Sequence, residues 1–441
     1  MPEFSVSTLA LGKLFLAFAV ILLLLRLRVA LWKTLFSGCV LLALASSLPL
    51  SLWPSLPLAC LRQTSFLCMQ AMLFGIMLLS ALQEAGGQSR RLVDGLERYI
   101  RHPRVRLMLF PAIVGLLPMP GGALFSCPML DAAARGMNLD SRRKTLINYW
   151  FRHIWEVAWP LYPGYILASS LLGVSLLTLA TYSFPLVFFS LATGWFFFLR
   201  DIKVRPEEAA PPEDGLPPGE GTIPPSLGRV LLEALPLAVT LAGAGVFALL
   251  LEACAWDAPP QAAFLLSLSL AIAVALAQNR KHLAVPLRQL VLKAQTFRLL
   301  LLVYAIFVFK DTLIACGLIR DISSLGGSTP VILLLFVVLP LICGILTGVM
   351  VGFVGACFPI LLGVASQAGL QEYLLPLVIV AMICGHAGQL LTPLHVCLVV
   401  SCEYFRTAFV DVWRRILGPV AVQISYGILW AGVLHAFRLH L

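Results

Sequence analysis

The sequence predicts an all-α polytopic membrane protein made of two inverted repeats, each with about five transmembrane helices, one re-entrant hairpin and one broken helix. Three observations lead there. Of the 441 residues 60% are hydrophobic and only 12% charged, too apolar for a soluble domain of this length. Apolar windows such as TLALGKLFLAFAVILLLL and VILLLFVVLPLICGILTGVM recur along the chain, each close to the ~20 residues a helix needs to cross hydrocarbon. The two halves also share motifs in the same order.

Full crossings are expected near 6–25, 29–53, 64–85, 148–172, 176–199, 228–252, 261–278, 298–316, 376–402 and 412–437. Two further apolar stretches, about 107–131 and 330–365, are rich in Pro and Gly and suit hairpins that enter and leave on one side. With this assignment 25 of the 31 Lys and Arg gather on one face, which is cytoplasmic by the positive-inside rule and puts both termini outside. The net charge of +10 is thus a matter of topology in a lipid bilayer, and no nucleic-acid partner is expected. The start MPEFSVSTLALGK lacks the basic region and small-residue cleavage site of a signal peptide, so the first span is expected to stay. The eleven cysteines lie without CxxC or Cys/His ligand spacing and read as small buried hydrophobes, with no metal site. Only Cys60 and Cys254 fall in expected outer loops, where a bridge is chemically allowed.

The internal repeat rests on three matches. PAIVGLL from Pro111 parallels PLICGIL from Pro340; GALFSCPML after Gly121 parallels FVGACFPIL after Gly352; HIWEVAWPLY from His153 parallels HAGQLLTPLH from His386. Three matches in one order, with an offset that drifts by only four residues, indicate duplication. Because each half holds an odd number of crossings, the second half is inverted, a transporter architecture. The units are residues 1–200, with a hairpin at about 107–131 and a broken helix at about 148–172, and residues 229–441, with a hairpin at about 330–365 and a broken helix at about 376–402. Residues 201–228 between them are Pro-, Gly- and Glu-rich and read as a flexible cytoplasmic linker.

Pro160 and Pro393 fall inside apolar spans, and the run Pro160-Leu161-Tyr162-Pro163-Gly164 should break its helix outright. Backbone groups freed at membrane depth are tolerated only against protein or a water-filled cavity, so a break is either a packing kink or a binding site. Recurrence at equivalent positions favours a site flanked by Pro160, Tyr162, Thr392, Pro393 and His395. At the hairpin tips, Gly121, Gly122 and Ser126 in one half and Gly352 and Gly355 in the other let backbone N–H groups approach a ligand. Close helix packing also enriches glycine.

Arg152, His153 and Glu156 begin one span, with His153 and Glu156 on one helix face. Charge in a bilayer costs ~2.5–3.5 kcal/mol on insertion scales, so such residues usually line pathways or proton relays. Arg152 is expected to snorkel to the cytoplasmic interface. His386, Gln389 and His395 are the second-half counterparts, and imidazoles can accept and release coupling protons or simply be hydrogen-bonded structural groups. Lys310 and Asp311, with Glu233 in its own span, are expected to neutralise one another. Lys310 meeting an anionic solute is the alternative.

The chain resembles the ion transporter superfamily, whose members have two inverted repeats, each with a re-entrant hairpin followed by a broken helix. More specifically, GLLPMPGGALFSCPML, WPLYPGYILASS and GHAGQLLTPLH resemble the uncharacterised domain-of-unknown-function family numbered four hundred and one, distantly similar to gluconate permeases. The resemblance implies a substrate site between hairpin tips and broken helices, elevator-like movement against a scaffold that forms a homodimer, and mostly organic-anion substrates. Sodium-coupled dicarboxylate members carry Ser-Asn-Thr at the hairpin tips, whereas the tips here read Pro-Gly-Gly and Val-Gly-Ala.

The expected function is a secondary active transporter, in a bacterial or archaeal inner membrane, for a small polar or anionic solute of the organic-acid type. It needs no resident cofactor. H+ or Na+ serves as the coupling ion, with His153, Glu156, His386 and Gln389 as the coupling residues. An intramembrane enzyme acting on a lipid is a rival, but HExxH and GxSxG are missing and catalysis needs no inverted copy. A channel is another, since re-entrant segments also build selectivity filters.

Overall fold

The computed structural model describes residues 12–13, 16–21, 23–24, 27, 29–97, 99–100, 102–116, 122–135, 137–202, 226–256, 258–259, 261–283, 285–318, 329–393 and 395–437. The linker segment 203–225, the tip residues 117–121 and both termini lie outside them. Among the described residues all regular structure is helical.

The first half comprises α1 (16–21), α2 (Leu31–Ala45), α3 (Leu52–Cys60), α4 (Thr64–Ala85), α5 (Gln88–Glu97), α6 (Pro103–Gly115), α7 (Ala123–Ala133), α8 (Ser141–His153), α9 (Pro163–Leu172), α10 (Leu176–Ser183) and α11 (Pro185–Gly194), which runs on as a π-helical turn, Trp195–Leu199. The second half comprises α12 (Leu227–Ala253), α13 (Ala262–Asn279), α14 (Leu287–Val291), α15 (Ala294–Ala315), α16 (Thr329–Thr347), α17 (Met350–Gln367), α18 (Leu374–Leu391), α19 (Val396–Tyr404) and α20 (Phe409–Ala436).

Local chemistry sets many of the boundaries. The Asp140 side chain accepts the Arg143 N–H at 2.8 Å and starts α8, and Ser175 accepts the Thr178 N–H at 3.0 Å and starts α10. Proline opens α6, α9 and α11, where its missing N–H costs nothing. Gly173, at φ 73°, ends α9 and lets the chain turn by 110° into α10. Gly348, at φ 66°, makes the tight turn between α16 and α17.

Among the described residues seven stretches are long and apolar enough to cross a bilayer: α4, α12, α13, residues 330–347 of α16, α17, the stretch Gln371–Tyr404 and α20. An eighth appears if bent α9 and α10 count as one span. The ten crossings read from sequence differ in instructive ways. The stretch 29–53 forms 15-residue α2 and a separate short α3. The stretch 176–199 divides at Pro185 into α10 and α11. α15 has the length, 22 residues, but carries Arg298, Lys310 and Asp311. Of the hairpin limbs, α6 and α7 have 13 and 11 residues, short for a crossing, whereas α16 and α17 have 19 and 18.

The helices pack as two groups. α2, α4, α12, α13 and α15 form one, and α6 to α9 with α16 to α20 form the other; α4 against α9 and α15 against α17 join them. The interior belongs to the second group, since 72% of α17 is buried against 22% of α12, whose apolar face is left to lipid. Glycines bring backbones together there. A Cβ on Gly344 would strike the Gly385 carbonyl, and one on Gly388 the Leu341 carbonyl, so α16 and α18 cross at backbone contact. Gly115 makes the same contact with the Arg152 carbonyl, bringing α6 onto α8.

The charges anticipated inside spans find separate partners. Arg91 grips Glu233 with two bonds, 2.7 and 3.0 Å, and reaches Asn279 at 3.2 Å, clasping α5 to α12 and α13. Lys310 lies 3.4 Å from Asp311 and over the Phe307 ring, while Gln63 donates to Asp311 at 2.6 Å. All eleven cysteines are free, with Cys60 buried and Cys254 exposed. Gly388→Val should cost about 1–3 kcal/mol through overpacking at the α16–α18 crossing. Gly245→Val, at a site with open space around it, should leave the thermal midpoint of the purified protein unchanged, and the two midpoints compared check the prediction.

Candidate functional site

Two long apolar stretches stop short and restart inside the helical core. α8 ends at His153, residues 154–162 run as turns, and α9 begins at Pro163; α18 ends at Leu391 and α19 begins at Val396. A helix end leaves up to four carbonyls without partners, and hydrocarbon offers none. Aromatic donors supply them. Trp155 and Trp159 donate indole N–H groups to the carbonyls of Ala112 (2.8 Å) and Leu116 (2.9 Å), and the Tyr162 hydroxyl donates to Gly115 (2.5 Å). Three donors at i, i+4 and i+7 thus close the C-terminal end of α6. For α18, Trp413 donates to Leu391 at 3.0 Å, and the Tyr149 hydroxyl faces Leu390 (3.2 Å) and Gln389 (3.4 Å).

Between these ends lies a buried polar cluster. Gln389 donates to Glu156 Oε2 at 2.5 Å, joining the two stretches directly. His153 Nδ1 donates to the Tyr149 carbonyl at 2.5 Å, which fixes its proton there and turns the Nε2 lone pair toward Glu156 Oε1, 3.8 Å away, and Arg152 Nη1, 3.4 Å away. The His153 and His395 rings meet edge to face at 4.5 Å. Gln423 of α20 donates to His386 Nδ1 at 2.6 Å, so the His386 proton sits on Nε2. Asn148 donates to Ser401 Oγ at 2.9 Å and Cys127 Sγ at 3.2 Å, tying α8 to α19 and α7.

Several atoms here have no protein partner: His386 Nε2, His395 Nδ1, Gln389 Oε1, Gln423 Oε1, Asn148 Oδ1 and Ser126 Oγ. Buried polar groups are nearly always hydrogen-bonded, so this concentration of unmet capacity sets the cluster apart from the rest of the core.

Arg152 is the principal difference from the sequence reading. It does not snorkel to an interface but is 96% buried, since its relative exposure is 4%, and its Nη1 donates to Cys397 Sγ at 2.9 Å. Donor atoms of His153, His395 and Cys397 lie within 4.8 Å of one another, a spacing that suits a transition metal. The guanidinium already touches two of the three, so a permanent cation occupies that corner and opposes a second one.

Of the residues picked from sequence, the structure brings together Gly122, Ser126, His153, Glu156, Tyr162, His386, Gln389 and His395. Pro160 is buried in the turn after α8, and Thr392 is buried at the end of α18. Pro393 is exposed. Gly352 packs on Thr347 and Gly355 on Ile306 of α15, so both serve contacts away from the cluster. Gly121 lies outside the described residues. Sequence reasoning passed over Asn148, Tyr149, Trp155, Trp159, Cys397, Ser401 and Gln423. The one-face spacing of Trp155, Trp159 and Tyr162 was a usable signal; Gln423 offers none.

Fold and site together define a multi-pass, all-helical integral membrane protein with a polar centre between interrupted helices. The family model described as "Protein of unknown function (DUF401)" matches residues 6–434, and the chain belongs to that family. No curated protein matches the sequence. Among solved structures, the YdaH transporter of Alcanivorax borkumensis, reported to have an unusual topology, shares the fold: TM-score 0.56, 13% identity, covering 83% of this chain and 85% of that one.

Trp159→Phe stays aromatic but removes the N–H that the Leu116 carbonyl accepts, so it should destabilise the protein by about 1–3 kcal/mol. Trp256→Phe, at a residue 68% exposed, should not. Thermal midpoints of the two variants check this.

Proposed function

We propose that the protein is a secondary active transporter for a small polar or anionic solute of the organic-acid type. The observation that carries this reading is the sealed polar cluster between two interrupted helices, where Glu156, His153, His386, Gln389 and His395 converge and four of the unpartnered atoms sit on His386, His395, Gln389 and Gln423. Helix breaks at membrane depth are where transporters place solute and coupling-ion sites. The fold shared with a protein described as a transporter supports the same reading.

Two inverted units, residues 1–200 and 229–441, generate the site, a reading supported by the matched contacts of Gly115 and Gly344 with the carbonyls preceding His153 and His386. α6 to α9 with α16 to α20 form the moving body, their hairpins re-entrant. α2, α4, α12, α13 and α15 form a scaffold that pairs with a second copy. Movement is elevator-like, in a bacterial or archaeal inner membrane with the Lys- and Arg-rich loops and the linker inside and both termini outside. Protons are the coupling ion. Among the described residues of the cluster the groups that exchange them are one carboxylate, Glu156, and the imidazoles beside it.

Vesicles reconstituted with the protein should accumulate an organic acid when a pH gradient is imposed. Glu156→Gln should abolish accumulation while leaving solute exchange at equal pH. Accumulation driven by a sodium gradient alone would overturn proton coupling, and vesicles that take up no solute under any gradient would overturn transport.

A further inference from the structure

We propose that the cavity between the start of α8, the π-helical turn after α11 and the start of α20 holds the phosphate of an anionic phospholipid. Arg143 and Arg415 bind the phosphate, and the acyl chains run along the exposed phenylalanines of α11.

Three elements change character at one level. α11 and its π-helical turn expose Phe188, Phe189, Phe196 and Phe197, and the chain then reaches the exposed charges Arg200 and Asp201. α20 exposes Arg414 and Arg415 near its start and Leu417 and Val422 beyond them. α8 opens on exposed Ser141 and Arg142 and is buried from Thr145 to His153. A membrane chain that passes from apolar to charged surface within a turn does so where it leaves hydrocarbon for the headgroup layer. Phe197 lies against Gly418, where an added Cβ would stand 3.3 Å from its ring, so the two apolar-faced helices meet beside the charged level.

A cavity of about 340 Å³ lies there, lined by Arg143, Leu146, Phe197, Phe198, Asp201 and Arg415. It falls within the ~300–1,000 Å³ of small-ligand sites. Arg143 is fixed at two points, since its backbone N–H donates to Asp140 Oδ1 at 2.8 Å and its Nε to the Phe198 carbonyl at 2.8 Å. Its Nη1 and Nη2 have no partner among the described residues, on a guanidinium already held in place. Arg415 makes no hydrogen bond or ion pair among the described residues. The acid in the lining, Asp201, lies 3.4 Å from Arg200 Nε, and Arg200 stands over the Phe196 ring at 3.8 Å.

Two arginines thus face the cavity against one acid that already has a cation. Arginine forks match phosphate oxygens, and a basic pocket between helices at a membrane face suits an anionic headgroup. The exposed phenylalanines at the rim give a lipid phosphate the advantage over a soluble one, because only the lipid brings chains to cover them.

The test loads purified full-length protein with defined lipids and counts those retained by native mass spectrometry. Phosphatidylglycerol and cardiolipin should stay bound in preference to phosphatidylcholine. Arg415→Gln and Arg143→Gln should each weaken retention of the anionic lipids about fivefold, and Arg415→Lys should weaken it less. Arg280→Gln, at an exposed arginine closing α13, should leave it unchanged. Equal retention of phosphatidylglycerol and phosphatidylcholine overturns the proposal. So does wild-type retention by Arg415→Gln, folded by its thermal midpoint, the result expected if linker carboxylates such as Glu207 and Glu208 supplied the anion. Glycerol phosphate binding as tightly as phosphatidylglycerol assigns the cavity to a soluble phosphate and overturns the lipid. Should either Gln variant fail to fold, wild-type retention by the other overturns the proposal equally.

Discussion

A helix that stops in hydrocarbon exposes carbonyls that neither lipid nor water will take, and in this molecule the rest of the core is arranged around meeting that demand. Trp155, Trp159 and Tyr162 cap α6, and Tyr149 and Trp413 cap α18. Each donor is a large aromatic with a polar tip, so it fills apolar volume and delivers one hydrogen bond. Because three of them stand in the interrupted segment 154–162, the segment that breaks one helix is also the one that closes its neighbour. The break and the hairpin limb are therefore a single packed unit.

That unit leaves the polar centre only part of the structural duty, which Gln389 and Asn148 carry. With the helix ends already satisfied, His386, His395, Gln389, Gln423 and Ser126 keep hydrogen-bonding capacity that no protein group uses. Elsewhere the molecule handles buried polarity differently. At the α5 clasp, Gln88 donates to Gln278 at 2.8 Å and to the Glu233 carbonyl at 2.9 Å, and Asn279 returns a bond to Gln88 at 2.7 Å. A satisfied network of this kind rigidifies, whereas the one at the centre keeps unmet hydrogen-bonding capacity. The contrast between the two regions lies in hydrogen-bond satisfaction more than in the presence of charge.

Packing explains how a centre made of short helix pieces is held in register. Glycine lets α16 and α18 cross at backbone distance and lets α6 lie on α8, so the elements that carry His153 and His386 are each pressed against a hairpin limb. The contacts between the two helix groups are of another kind. Gly355 receives the Ile306 side chain there.

Composition and periodicity sufficed for the membrane class and for most long helices, because burial in lipid demands an unbroken apolar run and such a run is visible in one dimension. Proline likewise marked the break after His153, since its backbone constraint is local, whereas the backbone contacts of Gly115, Gly344 and Gly388 had no such mark. Length counted alone missed the division of 176–199 at Pro185, and the charges inside α15 find protein partners such as Gln63. Charge was the other failure. From sequence Arg152 reads as an interfacial side chain, yet α7 and α19 fold over it and leave it buried. The pairing of His386 with Gln423, of Glu156 with Gln389 and of Tyr149 with the end of α18 spans 37 to 241 residues. A hydrogen bond depends on distance in space, and nothing in the order of residues encodes that distance until the helices have packed.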